Sequence, residues 1–183
     1  GSGNMGATNT FRVLGSKYGT IVMVCDILKG MAAVALYNFL PYYYHNELER
    51  TNFMIGLGLA AVLGHVFPIF ANFKGGKGVA TLFGMILAVQ PVVAISCVGV
   101  FIFVLYLTRY VSLSSILGAI MLPVSVLWIW NEHEVMYRIF ALLVAFLVVI
   151  THQKNIGRIL RGVESRIPIL KYRDRKKSRR RMD

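Results

Sequence analysis

Long apolar segments separated by short polar breaks run through most of the chain. The hydrophobic residues in these segments are continuous rather than alternating, which argues against the strands of a membrane β-barrel and predicts helices. A helix needs about 20 residues to cross about 30 Å of hydrocarbon, so segment 79–89 is expected to be a half-span or to use flanking residues. Pro91 provides a break before the next helix. The predicted helical segments are 20–40, 53–70, 79–89, 92–107, 113–130 and 139–150.

Composition indicates that lipid, rather than water, surrounds these helices. Of the 183 residues, 56% are hydrophobic and 15% are charged, and the mean hydropathy is +0.62. A soluble domain of this size would need far more polar surface. We therefore predict an all-α integral membrane protein, a polytopic helical bundle with about six spans in this chain. Residues 1–170 are expected to form a single transmembrane domain and residues 171–183 a basic cytoplasmic tail.

The positive charge is concentrated in alternate breaks between the apolar segments. Segments 1–17, 72–78, 108–112 and 151–183 hold 17 of the 20 Lys and Arg residues, whereas breaks 41–52 and 131–138 are rich in Glu. Cytoplasmic loops of membrane proteins carry the excess of Lys and Arg, so the first set is predicted to be cytoplasmic. The net charge of +12 therefore points to orientation and contact with anionic lipid, and we expect no nucleic-acid partner.

This topology places the first residue in the cytoplasm and within a polar motif. A further span is therefore expected to precede Gly1, which would make seven spans and an external N-terminus in the full-length protein. The stretch 42–45 on the other side is expected to belong to an interfacial aromatic belt.

The first polar motif is the Gly- and Asn-rich segment 1–12. It matches GxGxxG formally, but no strand precedes it and no βαβ unit follows, so a dinucleotide fold is not indicated. The segment could present backbone N–H groups, Ser2, Asn4 and Arg12 to an anion. Equally, its Gly and Asn residues could only shape a turn, with Arg12 as an orientation charge.

The second motif comprises residues 64–81, in which Lys74, Gly75, Gly76, Lys77 and Gly78 precede an apolar helix. Glycines allow close approach of a ligand to the backbone, and a helix N-terminus attracts phosphate. No Ser or Thr follows Lys77, so the loop is not a Walker A motif. A flexible basic loop would explain the lysines but not the three glycines, which favours phosphate binding.

The third motif comprises residues 151–164. On a helix, His152 and Asn155 share one face. His152 could orient a hydroxyl group or accept a proton from it, and Asn155 could fix a polar head group. The segment could also be an amphipathic interfacial helix whose apolar face meets lipid. All three motifs are predicted on the same membrane face, where they could form one site.

The remaining polar residues are expected to have structural roles. Asp26 and Lys29 are three residues apart within a span, which favours an ion pair. His65 is expected to be a packing residue and Glu164 to serve local structure. Arg109 could supplement an anion site, but it is expected to anchor its span. Cys25 and Cys97 show no disulfide or zinc-ligand spacing, and neither a metal nor a cofactor is expected.

The chain closely resembles the bacterial membrane acyl-phosphate:glycerol-3-phosphate acyltransferase family. The resemblance rests on GSGNMGATN at 1–9 with Arg12, GHVFPIFANFKGGKGVAT at 64–81 and THQKNIGRILRGVE at 151–164, in order along the whole chain. It implies transfer of an acyl group from acyl phosphate to the 1-hydroxyl of sn-glycerol 3-phosphate, the first step of phospholipid biosynthesis. The product would be 1-acyl-glycerol 3-phosphate (lysophosphatidic acid), released with phosphate. It also implies a multi-pass protein of the bacterial cytoplasmic membrane with its active site on the cytoplasmic side.

The resemblance assigns roles to the polar residues. The catalytic residues would be Ser2, Arg12, Lys77, His152 and Asn155. The substrate-binding residues would be Asn4, Lys74, Gly75, Gly76 and Gly78. The expected partners are the two substrates and membrane lipid, and a monomer is expected. The hydroxyl proton would pass to the donor phosphate or to His152.

Two other classes of protein compete with the enzyme interpretation. Asp26 and Lys29 could line the pathway of a transporter, but a transporter needs access from both faces and the motifs gather on one. A non-catalytic lipid-binding or scaffold protein would have no use for the basic glycine loop.

Overall fold

The computed structural model describes residues 1–39 and 46–167, and every regular element in these ranges is helical. The basic tail 171–183 and the aromatic stretch 42–45 lie outside them. The α-helices, in chain order, are α1 (Ala7–Leu14), α2 (Ser16–Ala35), α3 (Glu47–Val66), α4 (Val79–Val89), α5 (Pro91–Thr108), α6 (Val111–Val124), α7 (Val135–Thr151) and α8 (Gln153–Leu160). Short 3₁₀ turns follow at Leu36–Phe39 and Ile69–Ala71, and a π-helical turn at Ser125–Ile129.

Local sequence explains where several helices begin and end. The side chain of Asn46 accepts a hydrogen bond from the N–H of Glu49 at 2.9 Å and caps α3. Pro91 occupies the first turn of α5, where its missing N–H has no consequence. Arg109, with φ of 62°, separates α5 from α6. Pro123 interrupts the hydrogen bonding of α6, and the π-helical turn follows directly after it.

The predicted all-α membrane architecture is confirmed, since all six apolar segments are helical over most of their length. Within residues 1–39 and 46–167, four helical segments are long and apolar enough to cross a membrane: Ser16–Phe39, Glu47–Ala71, Pro91–Thr108 and Val111–Ile129. Helices α7 and α8 meet at a bend of 58° and make a fifth if they are counted as one span. Helix α4 has only 11 residues, so the sequence was right to treat it as too short.

Helix α4 is packed tightly between α2 and α3, and this packing fixes the loop that precedes it. A Cβ atom added at Gly30 of α2 would overlap the carbonyl of Thr81, and one added at Gly84 of α4 would overlap the carbonyl of Ile27. Gly58 of α3 makes a similar approach to the side chain of Met85. Small residues let helices approach closely where hydrocarbon supplies no hydrophobic force between them. The N-terminus of α4 is therefore held rigidly at one end of the bundle.

Large apolar side chains cover the outside of the bundle. Ile102 and Phe103 of α5, and Leu143 and Phe146 of α7, are each more than half exposed. Exposing such a surface to water would be unfavourable. Contact with lipid chains is not, because the chains are as apolar as the side chains themselves. The exposed residues thus agree with the composition in identifying a membrane protein.

Candidate anion site

The three polar motifs come together at one end of the bundle, as their common predicted face requires. The side-chain amide of Asn4 lies 3.5 Å from the carbonyl of Gly75. Arg12 donates to the hydroxyl of Ser165 at 2.5 Å. Lys77 donates to the side-chain oxygen of Asn155. Each motif therefore contacts at least one of the others.

The N-terminal motif is a compact turn held by its own asparagines. The side-chain oxygen of Asn9 accepts hydrogen bonds from the N–H of Ser2 at 2.8 Å and from its hydroxyl at 3.0 Å. Asn4 accepts from the N–H of Gly6 at 2.9 Å. Ser2 is exposed, and its hydroxyl can rotate toward a ligand. Asn4 and Asn9 thus shape the turn, which is one of the two roles that the sequence suggested for this segment. Ser2 stays accessible to a ligand.

Gly75 and Gly76 pair with the C-terminal end of α3. Their N–H groups donate to the carbonyls of Val66 and His65, each at 3.2 Å. A Cβ at Gly75 would overlap the carbonyl of His65, and one at Gly76 would overlap its imidazole. These glycines therefore allow the loop to lie directly on α3. Because their N–H groups are already paired, they shape the site rather than offer free donors to it.

Free backbone donors lie one turn further along, at the start of α4. Gly78, with φ of 79°, occupies the N-cap position, and its carbonyl accepts from Leu82 at 2.7 Å. The N–H groups of Val79, Ala80 and Thr81 precede that first bond and have no partner within the helix. The hydroxyl of Thr81 is also buried without a hydrogen-bond partner among the described residues. This end of α4 is suited to bind an anion.

A buried network connects Lys77 to Glu164. Asn155 accepts from Lys77 and donates its amide to Glu164 at 2.7 Å. Glu164 also accepts from the hydroxyl of Ser112 at 2.9 Å and from Arg158 at 2.5 Å. Asn155 and Glu164 are each 8% exposed. The sequence assigned Glu164 to local structure, and the structure shows that its carboxylate orients Asn155.

The network combines one buried carboxylate with several cations, and their charges shift one another's environment. Burial alone would raise the pKa of Glu164, but hydrogen bonds from Arg158, Asn155 and Ser112 outweigh burial and lower it. Burial lowers the pKa of Lys77 to about 8; Glu164 opposes that shift, and the positive charges of Arg158 and Arg12 add to it. Two guanidinium groups therefore disfavour the charge of Lys77, and a bound dianion would relieve this effect.

His152 lies at the bend between α7 and α8. The residue is 3% exposed, and Nδ1 of its ring lies 2.8 Å from the carbonyl of Val148. A carbonyl can only accept, so Nδ1 carries the hydrogen, and Nε2 of the neutral ring has a free lone pair. The sequence placed His152 and Asn155 on one continuous helix; instead the helix breaks at His152, and only Asn155 lies in α8.

The C-terminal described segment closes the site against the start of α6. The N–H of Ile167 donates to the carbonyl of Arg109 at 2.9 Å. The guanidinium of Arg166 lies 4.9 Å from the ring centre of Tyr110. These contacts hold Ser165 beside Arg12 and Glu164 beside Ser112. Arg109 therefore contributes to the site through its backbone.

An apolar cavity of about 80 Å³ lies beside the polar network. It is lined by α4, α5, α6 and α7, with Phe83, Phe101 and Ala119 among its walls. Val79, two residues beyond Lys77, and Val148, which accepts from His152, both line it. The cationic end of the bundle and an apolar cavity are thus adjacent.

Among residues 1–39 and 46–167, no cluster of His, Cys, Asp or Glu could hold a metal ion.

The predicted ion pair of Asp26 and Lys29 forms at 2.9 Å. Sequence reasoning missed that His65 joins it, with Nδ1 lying 3.2 Å from Asp26. It also missed the roles of Ser112 and Arg158 around Glu164. Only the i,i+3 spacing of Asp26 and Lys29 is visible in the sequence; the other partners are distant along the chain.

Known proteins resemble the chain in sequence and in fold. A family model described as glycerol-3-phosphate acyltransferase matches residues 1–162. The glycerol-3-phosphate acyltransferase of Bacillus subtilis (strain 168) is 44% identical over 167 residues, covering 91% of this chain and 81% of the relative. That of Macrococcus caseolyticus (strain JCSC5402) is 43% identical over 171 residues, covering 93% and 82%.

Solved structures of an integral membrane glycerol 3-phosphate acyltransferase are also similar. The form with lysophosphatidic acid is 38% identical with a TM-score of 0.78, covering 91% of this chain and 81% of that one. The glycerol 3-phosphate form is 38% identical with a TM-score of 0.79, covering 92% and 80%.

Proposed function

Because the chain belongs to the glycerol-3-phosphate acyltransferase family, we propose that it transfers an acyl group from acyl phosphate to the 1-hydroxyl of sn-glycerol 3-phosphate. The products are 1-acyl-glycerol 3-phosphate (lysophosphatidic acid) and inorganic phosphate. The observation that carries this proposal is the position of a cationic network directly beside an apolar cavity. An acyl phosphate has one charged end and one apolar end. The cationic network suits the charged end, and the apolar cavity suits the acyl chain.

The phosphate groups bind to the cationic surface in this proposal. Arg12, Lys77 and the free N–H groups at the start of α4 supply positive charge and donors, and Ser2 adds a hydroxyl. Lys74, which is exposed on the same loop, attracts the anions from solution. Gly75, Gly76 and Gly78 support binding by holding the loop in shape. Charge-assisted hydrogen bonds of this kind are the strong ones in proteins.

Glycerol 3-phosphate lies near His152 and Asn155, so that its 1-hydroxyl faces the acyl carbonyl. The hydroxyl oxygen forms a bond to the carbonyl carbon, and the bond from that carbon to the phosphate oxygen breaks. The proton leaves the hydroxyl for the departing phosphate or for Nε2 of His152. Phosphate is a good leaving group, so alignment of the two substrates supplies much of the rate.

The acyl chain enters the apolar cavity between α4 and α7. Support comes from Val79 and Val148, which line the cavity: Val79 follows Lys77 by two residues, and Val148 accepts from His152. The protein acts as a monomer in the bacterial cytoplasmic membrane, with its site on the cytoplasmic side. The alternation of Lys- and Arg-rich breaks supports that orientation.

The test is phosphate release from palmitoyl phosphate by the full chain in detergent, with and without glycerol 3-phosphate. We expect release that depends on glycerol 3-phosphate and yields lysophosphatidic acid. Arg12→Ala and Lys77→Ala proteins that remain folded should lose it, whereas Lys17→Ala, which removes an exposed cation outside the network, should not. No acceptor-dependent release from folded wild-type protein would refute the proposal.

The proton acceptor is tested in the same assay. A folded His152→Ala protein that keeps most of its kcat would show that the departing phosphate takes the proton. A loss of about a hundredfold or more would assign that step to His152, because general-base catalysis contributes roughly that much.

A further inference from the structure

Asp26, Lys29 and His65 form a polar cluster beside the Gly75–Gly76 turn. Oδ1 of Asp26 lies 2.9 Å from Nζ of Lys29 and 3.2 Å from Nδ1 of His65. Asp26 is 8% exposed although it lies within an apolar helix. A carboxylate at that place is costly in lipid unless donors surround it. Lys29 supplies one donor, and His65 is close enough to supply a second.

His65 touches the loop of Lys77 through both its backbone and its ring. Its carbonyl accepts the N–H of Gly76 at 3.2 Å. Its Nε2 lies so close to the Cα of Gly76 that an added Cβ would overlap it. Gly76 is the residue directly before Lys77. The side chain of His65 is only 10% exposed, so the ring has little freedom to move away.

The other ring nitrogen of His65 is held by α2. Nδ1 lies 3.2 Å from Asp26 and 2.9 Å from Nζ of Lys29. A ring nitrogen either donates or accepts one hydrogen bond, so Nδ1 donates to Asp26 or accepts from Lys29. In both arrangements α2 fixes the ring, and Nε2 stays turned toward Gly76.

We propose that Asp26 and His65 are positioning residues for the anion site. The carboxylate orients the imidazole, the imidazole supports the turn at Gly76, and the turn sets where the ammonium of Lys77 lies beside Asn155. Neither residue needs to touch a substrate for this role. The inference rests on the proposed function, because it assigns the pair to the loop that binds phosphate there.

The first test is a double-mutant cycle between His65 and Gly76 in the full chain in detergent. His65→Ala should raise KM for glycerol 3-phosphate roughly tenfold to a hundredfold, as small displacements of binding groups do. Gly76→Ala should raise it similarly, since its methyl group would displace the ring. In the double variant the methyl group occupies the vacated space, so the two effects should not multiply. Multiplicative effects would overturn the proposal.

Two further variants separate positioning from folding. His65→Gln can place an amide near the position of Nε2, so it should recover part of the lost affinity. Asp26→Asn keeps the shape of the carboxylate but not its charge, and should raise KM less than His65→Ala. His133→Ala is the matched control, because His133 is exposed and lies between α6 and α7, away from the loop. It should leave KM unchanged.

A second readout does not depend on enzymatic activity. The rate at which an amine reagent labels Lys77, measured by mass spectrometry relative to exposed Lys17, reports the surroundings of the ammonium. His65→Ala should change this ratio several-fold, whereas His133→Ala should not. A folded His65→Ala protein with unchanged labelling and unchanged KM would refute the positioning role. If wild-type protein shows no acyl transfer, the proposed function fails, yet the labelling still decides this inference.

Discussion

The ammonium of Lys77 donates a hydrogen bond to the side chain of Asn155, which lies 78 residues further along the chain. This contact joins the loop before α4 to the helix after the bend at His152. Glu164 extends it, because the carboxylate accepts the amide of the same Asn155 at 2.7 Å. The loop, the bend and the C-terminal segment therefore act as one unit, and changes at any of them should affect the others.

Binding of glycerol 3-phosphate should weaken as the pH rises through about 8, the pKa to which burial lowers Lys77. The protonated ammonium attracts phosphate, and above that pH it loses its charge. A bound dianion should raise the pKa of Lys77, so the alkaline fall in kcat should come at higher pH than that in kcat/KM. Initial rates from about pH 6 to about pH 10 test this.

The control for this pH dependence is Lys77→Arg. The guanidinium stays charged across the same range. Any activity that the Lys77→Arg protein retains should therefore not fall at alkaline pH. An unchanged fall at alkaline pH in that variant would show that another group titrates.

Glu164→Gln should lower stability by about 1–3 kcal/mol, the cost of weakening buried charge-assisted hydrogen bonds. Because the folded pKa of Glu164 lies below its ordinary value of 4.5, its contribution is present above that value and is lost as the pH falls through the folded pKa. Apparent Tm in detergent should therefore differ between the two proteins near neutral pH and converge in acid. A constant difference at all pH values would contradict this account.

Gly84→Ala should destabilise the bundle by about 1–3 kcal/mol, the usual cost of overpacking. The new methyl group would overlap the carbonyl of Ile27 and push α4 away from α2. The matched control is Gly56→Ala in α3, where nothing lies within 4 Å of the added atom. That change should be neutral or stabilising by up to about 1 kcal/mol, because Ala favours helix. Apparent Tm for the two variants measures the contrast.

Ala119→Phe should change the preference for acyl-chain length. Ala119 lines the cavity of about 80 Å³ beside the polar network, and a phenyl ring would fill much of it. KM for palmitoyl phosphate should rise more than KM for a short-chain acyl phosphate, since only the long chain needs the filled space. An equal change for both chain lengths would place the acyl chain elsewhere. Apparent Tm serves as the folding control.

Much of the architecture follows from local sequence. Continuous apolar segments specify helices because a backbone in lipid must satisfy its own hydrogen bonds. The positions of Lys and Arg residues place the three polar motifs on one face, and their residue types indicate an anion site. The resemblance carried by these motifs identified the family before any distance was known. The shortness of α4 could also be read directly from segment 79–89.

Only the tertiary structure decided which groups the site can use. Gly75 and Gly76 look like phosphate donors in the sequence, yet their N–H groups pair with the end of α3. His65 looked like a packing residue until its ring was found between Asp26 and Gly76. Hydropathy and charge are properties of a segment, whereas a hydrogen bond depends on the separation of two atoms to within a few tenths of an ångström. That separation is set by how the helices pack, which the order of residues does not state.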